Sequence, residues 1–529
     1  MTRPGIPATN VRHPRIHRKL IGLTLHYARS TAPEYALRWD HLVVNFGRGF
    51  AGEGCLRVCT TSQQQTGGNM YRIRNRAVVV ASVIACVTAV VAGVGPIGAL
   101  AAVGPAQARQ TNHYPYRLIM LATLGGPEAG VGNGPFLGNS AVVAGTADTA
   151  TLDPYGATDN SSFNGDKYVQ HTYLWSHGAL TDLGALGPDP AKNSSYANWL
   201  SPRGAVAGLS DNGTIDPLTH SEEVDAVVWQ DGKITNLGTF GGNEGQAFGM
   251  NSQGEVTGGA DNATPDKYSI LGDGQQTRAF LWANGHLRDL GTLGGPDSLG
   301  WFLNDHGQVL GVSDTSATPD PVTGQPPASV FLWQNGTMRD LGNLGGSVPT
   351  FGGLAAFNDA GEVTGQSNLA GNKIFHAFLW NGHKMIDLGT FGGALSSPTW
   401  MNDRGEVIGW ADLPKYLGPN LGEPGDQMYQ AFVWDNGAAT DLGTLPGDKC
   451  STAWGINDEG VIVGAAGVCH GAVDAFIEQN GKMVNLNTLV APSPLHLTNA
   501  LSINDAGEII GEGMLNGNMR TFMLIPNSN

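Results

Sequence analysis

Two sequence strings recur through most of the 529-residue chain. One reads HAFLWNGHKMIDLGTFGG at 376–393, and the other reads MNDRGEVIG at 401–409 and falls between successive copies of the first. A regular repeat of this length predicts similar structural units that pack on their neighbours, so it constrains the fold more than any single motif does. Aligned on their Leu-Gly or Phe-Gly ends, the copies fall 44 to 62 residues apart, at Leu124, Leu186, Phe240, Leu293, Leu344, Phe391, Leu445 and Leu489, the last without its glycine.

Each repeat predicts four short antiparallel strands. In the first string, AFLW and KMIDLGTF flank Asn381-Gly382, a dipeptide with the strongest short-range preference for a hairpin turn. In the second string, the glycine two residues after the Asp can take positive φ, which is typical of a type I turn with a glycine bulge. The 77 glycines and the charged fraction of 14% fit an all-β protein with many tight turns. Four-stranded units of this length favour the blades of a β-propeller.

The two ends of the repeat region predict a closed ring. Residues 116–126 form a lone strand that corresponds to the last strand of a blade, and the chain ends with three strands in ALSIN, GEIIGEG and TFMLIP. We therefore predict an all-β fold, a β-propeller of about eight four-stranded blades over residues 116–526, closed by pairing of its N- and C-terminal strands. Seven blades would result if the divergent first unit formed no full sheet, and a β-solenoid is the alternative architecture.

The residues before the repeats predict export. Residues 70–108 contain three arginines, then a long apolar run, then Ala106-Gln107-Ala108, which is the order of parts in a secretory signal. Cleavage between Ala108 and Arg109 would leave 109–115 as a short mature N-terminus. An uncleaved membrane anchor is the alternative, because the apolar run is long. Residues 1–69 show no periodicity, and we expect them to be a non-native leader or disordered.

The charge distribution limits the partners. The first 108 residues hold 12 of the 29 Lys and Arg residues but only 3 of the 45 Asp and Glu residues, so the repeat region is strongly acidic. Such a charge disfavours nucleic acid and anionic membrane surfaces, which are themselves negative. We expect a monomer with an extracellular ligand, a glycan or a protein, and with no membrane contact after cleavage of the signal.

Two cysteines in the mature region predict a disulfide. Cys450 and Cys469 flank the Asn457-Asp458-Glu459-Gly460 turn almost symmetrically, so a hairpin that turns there would bring them together. An exported protein can keep such a bond, which contributes about 3 kcal/mol for a loop of this size. Two unpaired small core residues are the alternative.

The wording of the repeats resembles a known family. His376-Ala377-Phe378, its relatives Arg278-Ala279-Phe280 and Gln430-Ala431-Phe432, and the accompanying NDxG and DLGTLGG strings are similar to the HAF family of probable extracellular repeat proteins. The resemblance spans about residues 116 to 526 and implies export and repetition. It implies no catalytic residues, and most units of this chain lack the histidine.

Residues that recur in every unit are better explained by the fold than by chemistry. The recurrent Asp before Leu-Gly, as in Asp182 and Asp387, offers no unequal pair of carboxylates such as acid–base catalysis requires, so we predict no catalytic residue. A recurrent Trp predicts a core position that fills the space between blades, with a sugar-binding platform as the alternative. It occurs at Trp175, Trp229, Trp282, Trp333, Trp380 and Trp434.

Differences between units indicate where a ligand would bind. The connections between second and third strands are long and variable, for example at 148–171, 261–278 and 412–430, so the face that carries them is the expected binding surface. In the first six units, but not in the last two, a carboxylate or amide stands near the start of this connection. These residues could form a partial ring that binds Ca²⁺ or could simply end the strand through a backbone hydrogen bond. These residues are Asp148, Asp211, Asp261, Asp314, Asn368 and Asp412. We expect no other cofactor.

Together these features predict a secreted, non-catalytic binding or scaffolding module that acts through its long-loop face. An extracellular glycosidase or lyase built on a propeller is one alternative, since propellers host such enzymes without a linear motif. A structural protein of the cell envelope is the other alternative.

Overall fold

A computed structural model describes residues 114–131, 136–138, 141–154, 167–321, 324–346, 354–416, 427–469 and 471–527. The predicted leader, signal peptide and cleavage site at Ala108 and Arg109 lie outside these residues, as do 109–113 of the predicted mature N-terminus. The described part is all-β, with two single-turn 3₁₀ helices at Pro190–Lys192 and Leu486–Thr488. Within it, no helix is long and apolar enough to cross a membrane.

Eight antiparallel sheets form the blades of a β-propeller, and each follows the same up-and-down order. The first strands of successive blades contact one another, which places them innermost, around the axis of the ring. These inner strands are Gly125–Gly130 (β2), Ser195–Leu200 (β7), Gly241–Met250 (β11), Ser298–Leu303 (β15), Leu354–Phe357 (β19), Ser396–Met401 (β23), Cys450–Ile456 (β27) and His496–Ile503 (β31).

The remaining strands continue each blade outward from its inner strand. The second strands are Val142–Leu152 (β4), Val206–Ile215 (β8), Val256–Pro265 (β12), Val309–Asp314 (β16), Val363–Asn368 (β20), Val407–Tyr416 (β24), Ile462–Gly467 (β28) and Ile509–Leu515 (β32). The third strands are Tyr168–Ser176 (β5), Glu222–Gln230 (β9), Gln275–Ala283 (β13), Ala328–Gln334 (β17), Phe375–Trp380 (β21), Gln427–Asp435 (β25), Val473–Gln479 (β29) and Asn518–Pro526 (β33). The outer strands are Ala179–Asp182 (β6), Lys233–Asn236 (β10), His286–Asp289 (β14), Thr337–Asp340 (β18), Met385–Gly389 (β22), Ala438–Gly443 (β26), Lys482–Asn485 (β30) and Tyr116–Met120 (β1).

The eighth blade closes the ring with both ends of the repeat region. Its three inner strands come from the C-terminus, and its outer strand is β1, which pairs antiparallel with β33 from Tyr116 opposite Pro526 to Met120 opposite Phe522. The first blade is complete and carries one extra short strand, Leu137–Gly138 (β3), paired with β4. The prediction of eight blades closed by terminal strands is therefore confirmed, and the seven-blade and solenoid alternatives are wrong.

The core consists mainly of apolar layers between neighbouring blades. One such layer joins Ala144 of blade 1 to Val206 and Trp229 of blade 2. In the same way, Trp333 packs among side chains of blades 3 and 4. The recurrent tryptophans are therefore core residues that fill the space between blades, as predicted. Trp175, Trp229, Trp333 and Trp380 are buried, whereas Trp282 and Trp434 are partly exposed.

The turns between first and second strands have the predicted form. In the sixth blade, the Gly405 N–H donates to the Asn402 oxygen, the Asn402 N–H donates to the Glu406 oxygen, and Gly405 has a φ of 79°. This is a type I turn followed by a glycine bulge. Any other residue at position 405 would have to adopt a backbone conformation that L-residues avoid.

The hairpin turn predicted at Asn381-Gly382 is confirmed, but its backbone differs from that of the Asn-Gly turn in the fourth blade. In the fourth blade, Asn335 and Gly336 both have positive φ, as a type I′ turn requires. In the fifth blade the same dipeptide lies one position earlier, so that Gly382 has a φ of 86° and Asn381 lies outside the positive-φ region. Because Trp380 pairs with Met385, the two central positions of the turn are occupied by Gly382 and His383. Only the first central residue needs positive φ there, which is the pattern of a type II′ turn.

Candidate functional site

The recurrent Asn-Asp turns join neighbouring blades. The Asn402 side chain donates to the Asn457 oxygen of the next blade at 3.1 Å. The Asp403 N–H donates to the Asp458 carboxylate at 3.1 Å. The side chains of Asn251, Asn304, Asn457 and Asn504 make the same bond to the following blade, ending at Gly138 of blade 1. These residues are structural, and the face that carries their turns is called the tight-turn face below.

The histidine of the HAF string also has a structural partner. His376 Nδ1 lies 2.8 Å from the Asp387 carboxylate eleven residues later, on the adjacent outer strand. Blade 1 has the same pair, His171 and Asp182. In blade 4, a Ser hydroxyl on the third strand takes the place of the imidazole. In blade 2, the acid lies on the third strand and its amide partner lies on the outer strand. These pairs are Ser329 with Asp340, and Asp225 with Asn236. A polar pair of variable chemistry thus joins the third and outer strands in these four blades.

The predicted ring of carboxylates is buried and divided among the blades. Asp148, Asp211, Asp261 and Asp412 have at most 1% of their surface exposed, and Asp314 has 3%. Each stands in its own blade, and no group of three or more His, Cys, Asp or Glu side chains in the described part of the chain is arranged as a metal site.

The contacts of these residues match the strand-ending role. The Asp412 carboxylate accepts the Leu395 N–H at 3.0 Å, and the Asp211 carboxylate accepts the Ser194 N–H at 2.8 Å; both donors lie at the start of the inner strand. A Cβ added to Gly393 would lie 2.3 Å from the Asp412 Cβ, so the second glycine of the repeat provides the space for this contact.

The predicted disulfide is confirmed and replaces this contact in the seventh blade. Cys450 and Cys469 are bonded, with their Cα atoms 5.1 Å apart. Cys450 is the first residue of the inner strand of blade 7 and occupies the position that Leu395 has in blade 6. It pairs with Gly467, which stands on the second strand at the position where blade 6 has Asp412. A covalent bond therefore joins the two strands where a carboxylate joins them elsewhere.

The opposite face, which carries the connections between second and third strands, is called the long-loop face. Part of each predicted loop is strand, because in four blades the second and third strands pair again four residues beyond the Asp. In blade 6, for example, Tyr416 pairs with Gln427. The other three pairs are Leu152 with Tyr168, Ile215 with Glu222, and Pro265 with Gln275. In these four blades, the second and third strands therefore continue as a hairpin that extends beyond the long-loop face.

Exposed apolar side chains concentrate on the long-loop face. Leu152 is 63% exposed and Tyr416 is 40% exposed, both at the tips of raised strands. Among the described residues, all the other exposed large apolar side chains except Trp454 lie on the same face, namely Met120, Ile215, Leu218, Val468, Met514 and Met519. The sequence pattern did not predict this feature, because several of these positions fall in predicted loops, where the exposure of a side chain does not follow from the pattern.

A buried acidic cluster lies beneath this face between blades 2 and 3. Glu244, on the inner strand of blade 3, and Asp273, in its long loop, are each 3% exposed, and Asp261 is fully buried. The carboxyl groups of Asp261 and Asp273 lie within hydrogen-bonding distance. Burial, then the charge of Asp273, raises the pKa of Asp261 to about 10. Burial, then the charges of Asp273 and Asp216, raises the pKa of Glu244 to about 8.

Of this cluster, only Asp261 stands at a position that the repeat pattern singles out. The available signal was the position of Glu244, which corresponds to Leu395 in blade 6 and to Cys450 in blade 7. A buried-strand position that is acidic in some units and apolar in others marks a local difference in environment.

The comparisons with known proteins concern the fold. No family model matches the chain, and no curated protein matches it. Similar solved structures include the β-propeller domain of the Trilobed protease from Pyrococcus furiosus, at 10% identity over 68% of this chain and 94% of that chain, with a TM-score of 0.33. TolB from Acinetobacter baumannii matches at 11% identity over 72% of this chain and 79% of that chain, with a TM-score of 0.30.

A third similar structure is a larger protein. A puromycin-hydrolysing peptidase from Mycobacterium tuberculosis matches at 10% identity over 78% of this chain, with a TM-score of 0.36. The chain spans about half of that protein, 52% of its length. At such low identity these similarities concern the propeller fold alone.

Proposed function

We propose that this protein is a secreted binding module of the HAF type, and that its long-loop face contacts another extracellular molecule. The observation that carries the proposal is the concentration of exposed Leu, Ile, Met, Val and Tyr side chains on that face. Apolar surface exposed to water costs free energy, and a bias of such surface toward one face of the ring favours an interaction role for that face. The tight-turn face differs, because its recurrent polar side chains are engaged in bonds between blades.

The chemistry of the exposed side chains favours a protein over a glycan as the ligand. Sugars stack on flat aromatic rings, whereas the exposed apolar side chains of the long-loop face include one Tyr, Tyr416, and are otherwise aliphatic or Met. Flexible Met side chains, such as Met514 and Met519, are common on surfaces that bind other proteins.

The enzymatic alternative has one observation in its favour. Asp261 and Asp273 are neighbouring acids, and glycosidases use a pair of carboxyl groups in unlike environments. Glycosidase carboxyl groups stand about 5–9.5 Å apart, however, whereas those of Asp261 and Asp273 lie within hydrogen-bonding distance. Their side chains are nearly inaccessible, so a polysaccharide could not reach them without displacement of the loops. We therefore place this enzymatic alternative, and the envelope protein alternative, behind the binding role.

A triple variant tests the proposed function. Leu152→Ser, Ile215→Ser and Leu218→Ser together remove apolar surface from blades 1 and 2, and Lys482→Ala on the tight-turn face serves as the control. We expect the wild-type protein and the control to bind at least one member of a panel of immobilised glycans and purified extracellular proteins from the native host. The triple variant should bind it at least tenfold more weakly. Equal binding by all three proteins would contradict the proposal, and turnover of a panel polysaccharide would establish the enzymatic alternative.

Fractionation distinguishes the envelope alternative. A binding module released from the cell should be recovered in the culture medium, whereas an envelope protein should remain with washed cells. Recovery of most of the protein with the cells would favour the structural role.

A further inference from the structure

Two carboxyl groups of blade 3, those of Asp261 on the second strand and Asp273 in the long loop, are in direct contact. They lie within hydrogen-bonding distance of each other, and the two side chains are 0% and 3% exposed. An ionised carboxylate can only accept hydrogen bonds, so two carboxyl groups bond to each other only when one of them keeps its proton. The ion pairs among the described residues include neither side chain. The contact therefore requires one proton, and the two residues are called the carboxyl pair below.

The other oxygen of each carboxyl group is held by donors of the same blade. Asp273 Oδ1 accepts the Ser269 hydroxyl at 2.6 Å and the Gln275 N–H at 3.1 Å. Asp261 Oδ1 accepts the Thr277 hydroxyl at 3.2 Å. Among the described residues, no other donor reaches Oδ2 of either side chain. A proton between the two carboxyl groups is thus the bond that remains for these buried oxygens.

The loop that carries Asp273 contacts both neighbouring blades. The Ile270 N–H donates to the Asp297 carboxylate of blade 4 at 2.8 Å. On the other side, a Cβ on Gly274 would lie 3.9 Å from Leu218 Cδ1 of blade 2. Leu218 is one of the exposed apolar side chains of the long-loop face. Because the other member of the carboxyl pair belongs to a central strand, the pair connects this loop to the sheet of blade 3.

The charged groups that face the carboxyl pair are acids. Glu244, on the inner strand of blade 3, is 3% exposed and its Oε1 has no hydrogen-bond partner. Further acids act on this region from blade 2, from the loop itself and from blade 4, namely Asp216, Glu223, Asp225, Asp266, Asp297 and Asp314. Of the cationic side chains close in sequence, Lys267 lies over an aromatic ring of the loop at 4.4 Å. Arg278 pairs with Ala260, one position before the paired aspartate, so its side chain lies on the other face of the sheet.

We propose that Asp261 and Asp273 share one proton, and that this proton makes the position of the blade 3 loop sensitive to pH. With the proton in place, the loop is held to the sheet. In alkaline solution the pair becomes two neighbouring carboxylates shielded from water, which repel each other, so the loop moves away from the sheet and water reaches them. The loop adjoins Leu218, so its movement alters the long-loop face. The inference does not rest on the proposed function, because it concerns the chain alone and needs no ligand.

The direction of the pH effect follows from the protons that each state binds. Burial, then the charge of Asp273, raises the pKa of Asp261 to about 10. Burial, then the charges of Asp273 and Asp216, raises the pKa of Glu244 to about 8. In the unfolded chain both groups ionise near about pH 4. Above that pH the folded protein holds more protons than the unfolded chain, so its stability falls as the pH rises, until both groups are ionised near about pH 10.

Tryptic cleavage after Lys267, an exposed residue of the same loop, tests the proposal on the full-length protein. The rate at this bond is measured near neutral pH and about two pH units higher, and is corrected for the activity of trypsin on a model peptide. We expect the wild type to be cut at least about tenfold faster at the higher pH, because one unit beyond a pKa changes the protonated fraction about tenfold. Equal corrected rates at the two pH values would overturn the proposal.

Amide variants separate the shared proton from other effects of pH. In Asp273→Asn the amide donates a hydrogen bond to Asp261 at any pH, so the loop should be cut at the same slow rate under both conditions. Asp261→Asn should behave alike, and it takes the place of the first variant if that one does not fold. Glu459→Gln, which removes an exposed acid on the tight-turn face, should keep the wild-type pH dependence. Full pH dependence in the amide variants would overturn the proposal.

Thermal unfolding between about pH 8 and pH 10 supplies a second measurement, above the range in which histidine normally titrates. The wild-type midpoint should fall by several degrees across this range, and the midpoint of Asp273→Asn should fall by less. A wild-type midpoint that stays constant or rises would overturn the proposal, and so would an equal fall in the variant. Failure to find a macromolecular ligand, with this pH dependence intact, would count against the proposed function alone.

Discussion

The side chain of Asn402 in blade 6 donates a 3.1 Å hydrogen bond to the main-chain oxygen of Asn457 in blade 7. The same side chain also donates to Glu406 and accepts the Glu406 N–H, so one buried residue closes its own turn and joins the next blade. The NDxG string therefore encodes contacts between blades as well as a hairpin.

Replacement of Asn402 by Ala should destabilise the protein by about 1–3 kcal/mol, because it leaves the buried Asn457 oxygen without a donor. Urea unfolding measures the loss. Asp403→Asn is the matched control on the same turn. The charges of Asp458 and Asp359 oppose ionisation of Asp403, and burial also raises its pKa. An amide there keeps an acceptor and removes repulsion, so stability should be unchanged or slightly higher. An Asn402 variant as stable as this control would contradict the role of the bond.

Gly393→Ala should destabilise the sixth blade by more than about 2 kcal/mol. The added Cβ would lie 2.3 Å from the Asp412 Cβ and 2.7 Å from the Asp412 carbonyl carbon, and backbone atoms cannot move aside cheaply. Gly130→Ala is the control, since the nearest atom to its added Cβ is 3.9 Å away. Thermal unfolding of the two variants should separate them clearly, and similar midpoints would show that the second glycine of the repeat has no steric role.

Removal of the Cys450–Cys469 bond by a double Ser replacement should lower the free energy of unfolding by about 3 kcal/mol, since the bond closes a loop of 19 residues. Denaturation of the wild type with and without a reducing agent provides the comparison. Reduction should bring the wild type to the stability of the double variant and leave that variant unchanged. If the reducing agent left the free energy of unfolding of the wild type unchanged, that result would contradict this expectation.

The His171–Asp182 pair should make stability pH-dependent. Burial lowers the pKa of His171, but the hydrogen bond and charge of Asp182 prevail, and the pKa is raised. The pKa of Asp182 is lowered, because the bond to His171 outweighs the effect of burial. The histidine contribution is complete below its unfolded pKa of about 6.5 and is lost as pH rises through the higher folded value. The aspartate contribution is present above about pH 4 and is lost as pH falls through the lower folded value.

His171→Gln should therefore abolish the part of the stability loss between pH 6 and pH 8 that this pair causes. We expect a difference of at most about 1 kcal/mol, because Asp182 is 45% exposed and solvent screens its charge. Urea unfolding at the two pH values measures it. Gln430→Ala is the control, since Gln430 occupies the same place in blade 6 beside Asp441 and does not titrate. An unchanged pH dependence in His171→Gln would contradict the role of the pair.

Much of the architecture was predictable because the units repeat. Four strands per unit, the glycine-bulge turns and the buried tryptophans follow from residues that lie close together in sequence. Closure by β1 against β33 followed from counting strands at the two ends. The hairpin at Asn381-Gly382 was predicted but the backbone form of its turn was not, because the register of its strands moves the dipeptide by one position. Propensity alone does not determine that register.

The candidate sites could be predicted only in part. The sequence placed a carboxylate near each long loop, but the contacts of these residues with the inner-strand N–H groups show that they end strands. The exposed apolar surface was missed, because strand pairing continues four residues beyond the Asp and carries Leu152 and Tyr416 to the tips of hairpins.

By itself, the sequence determined the repeat unit, its strands and turns, the disulfide and the ring closure, since these depend on local periodicity and on complementary ends. Only the tertiary structure decided which polar groups are satisfied and which are not. Glu244 and Asp297 occupy equivalent places in the repeat, yet the donors around them come from loops that differ between blades. Contacts between residues distant in the chain thus decide where a buried charge requires a partner.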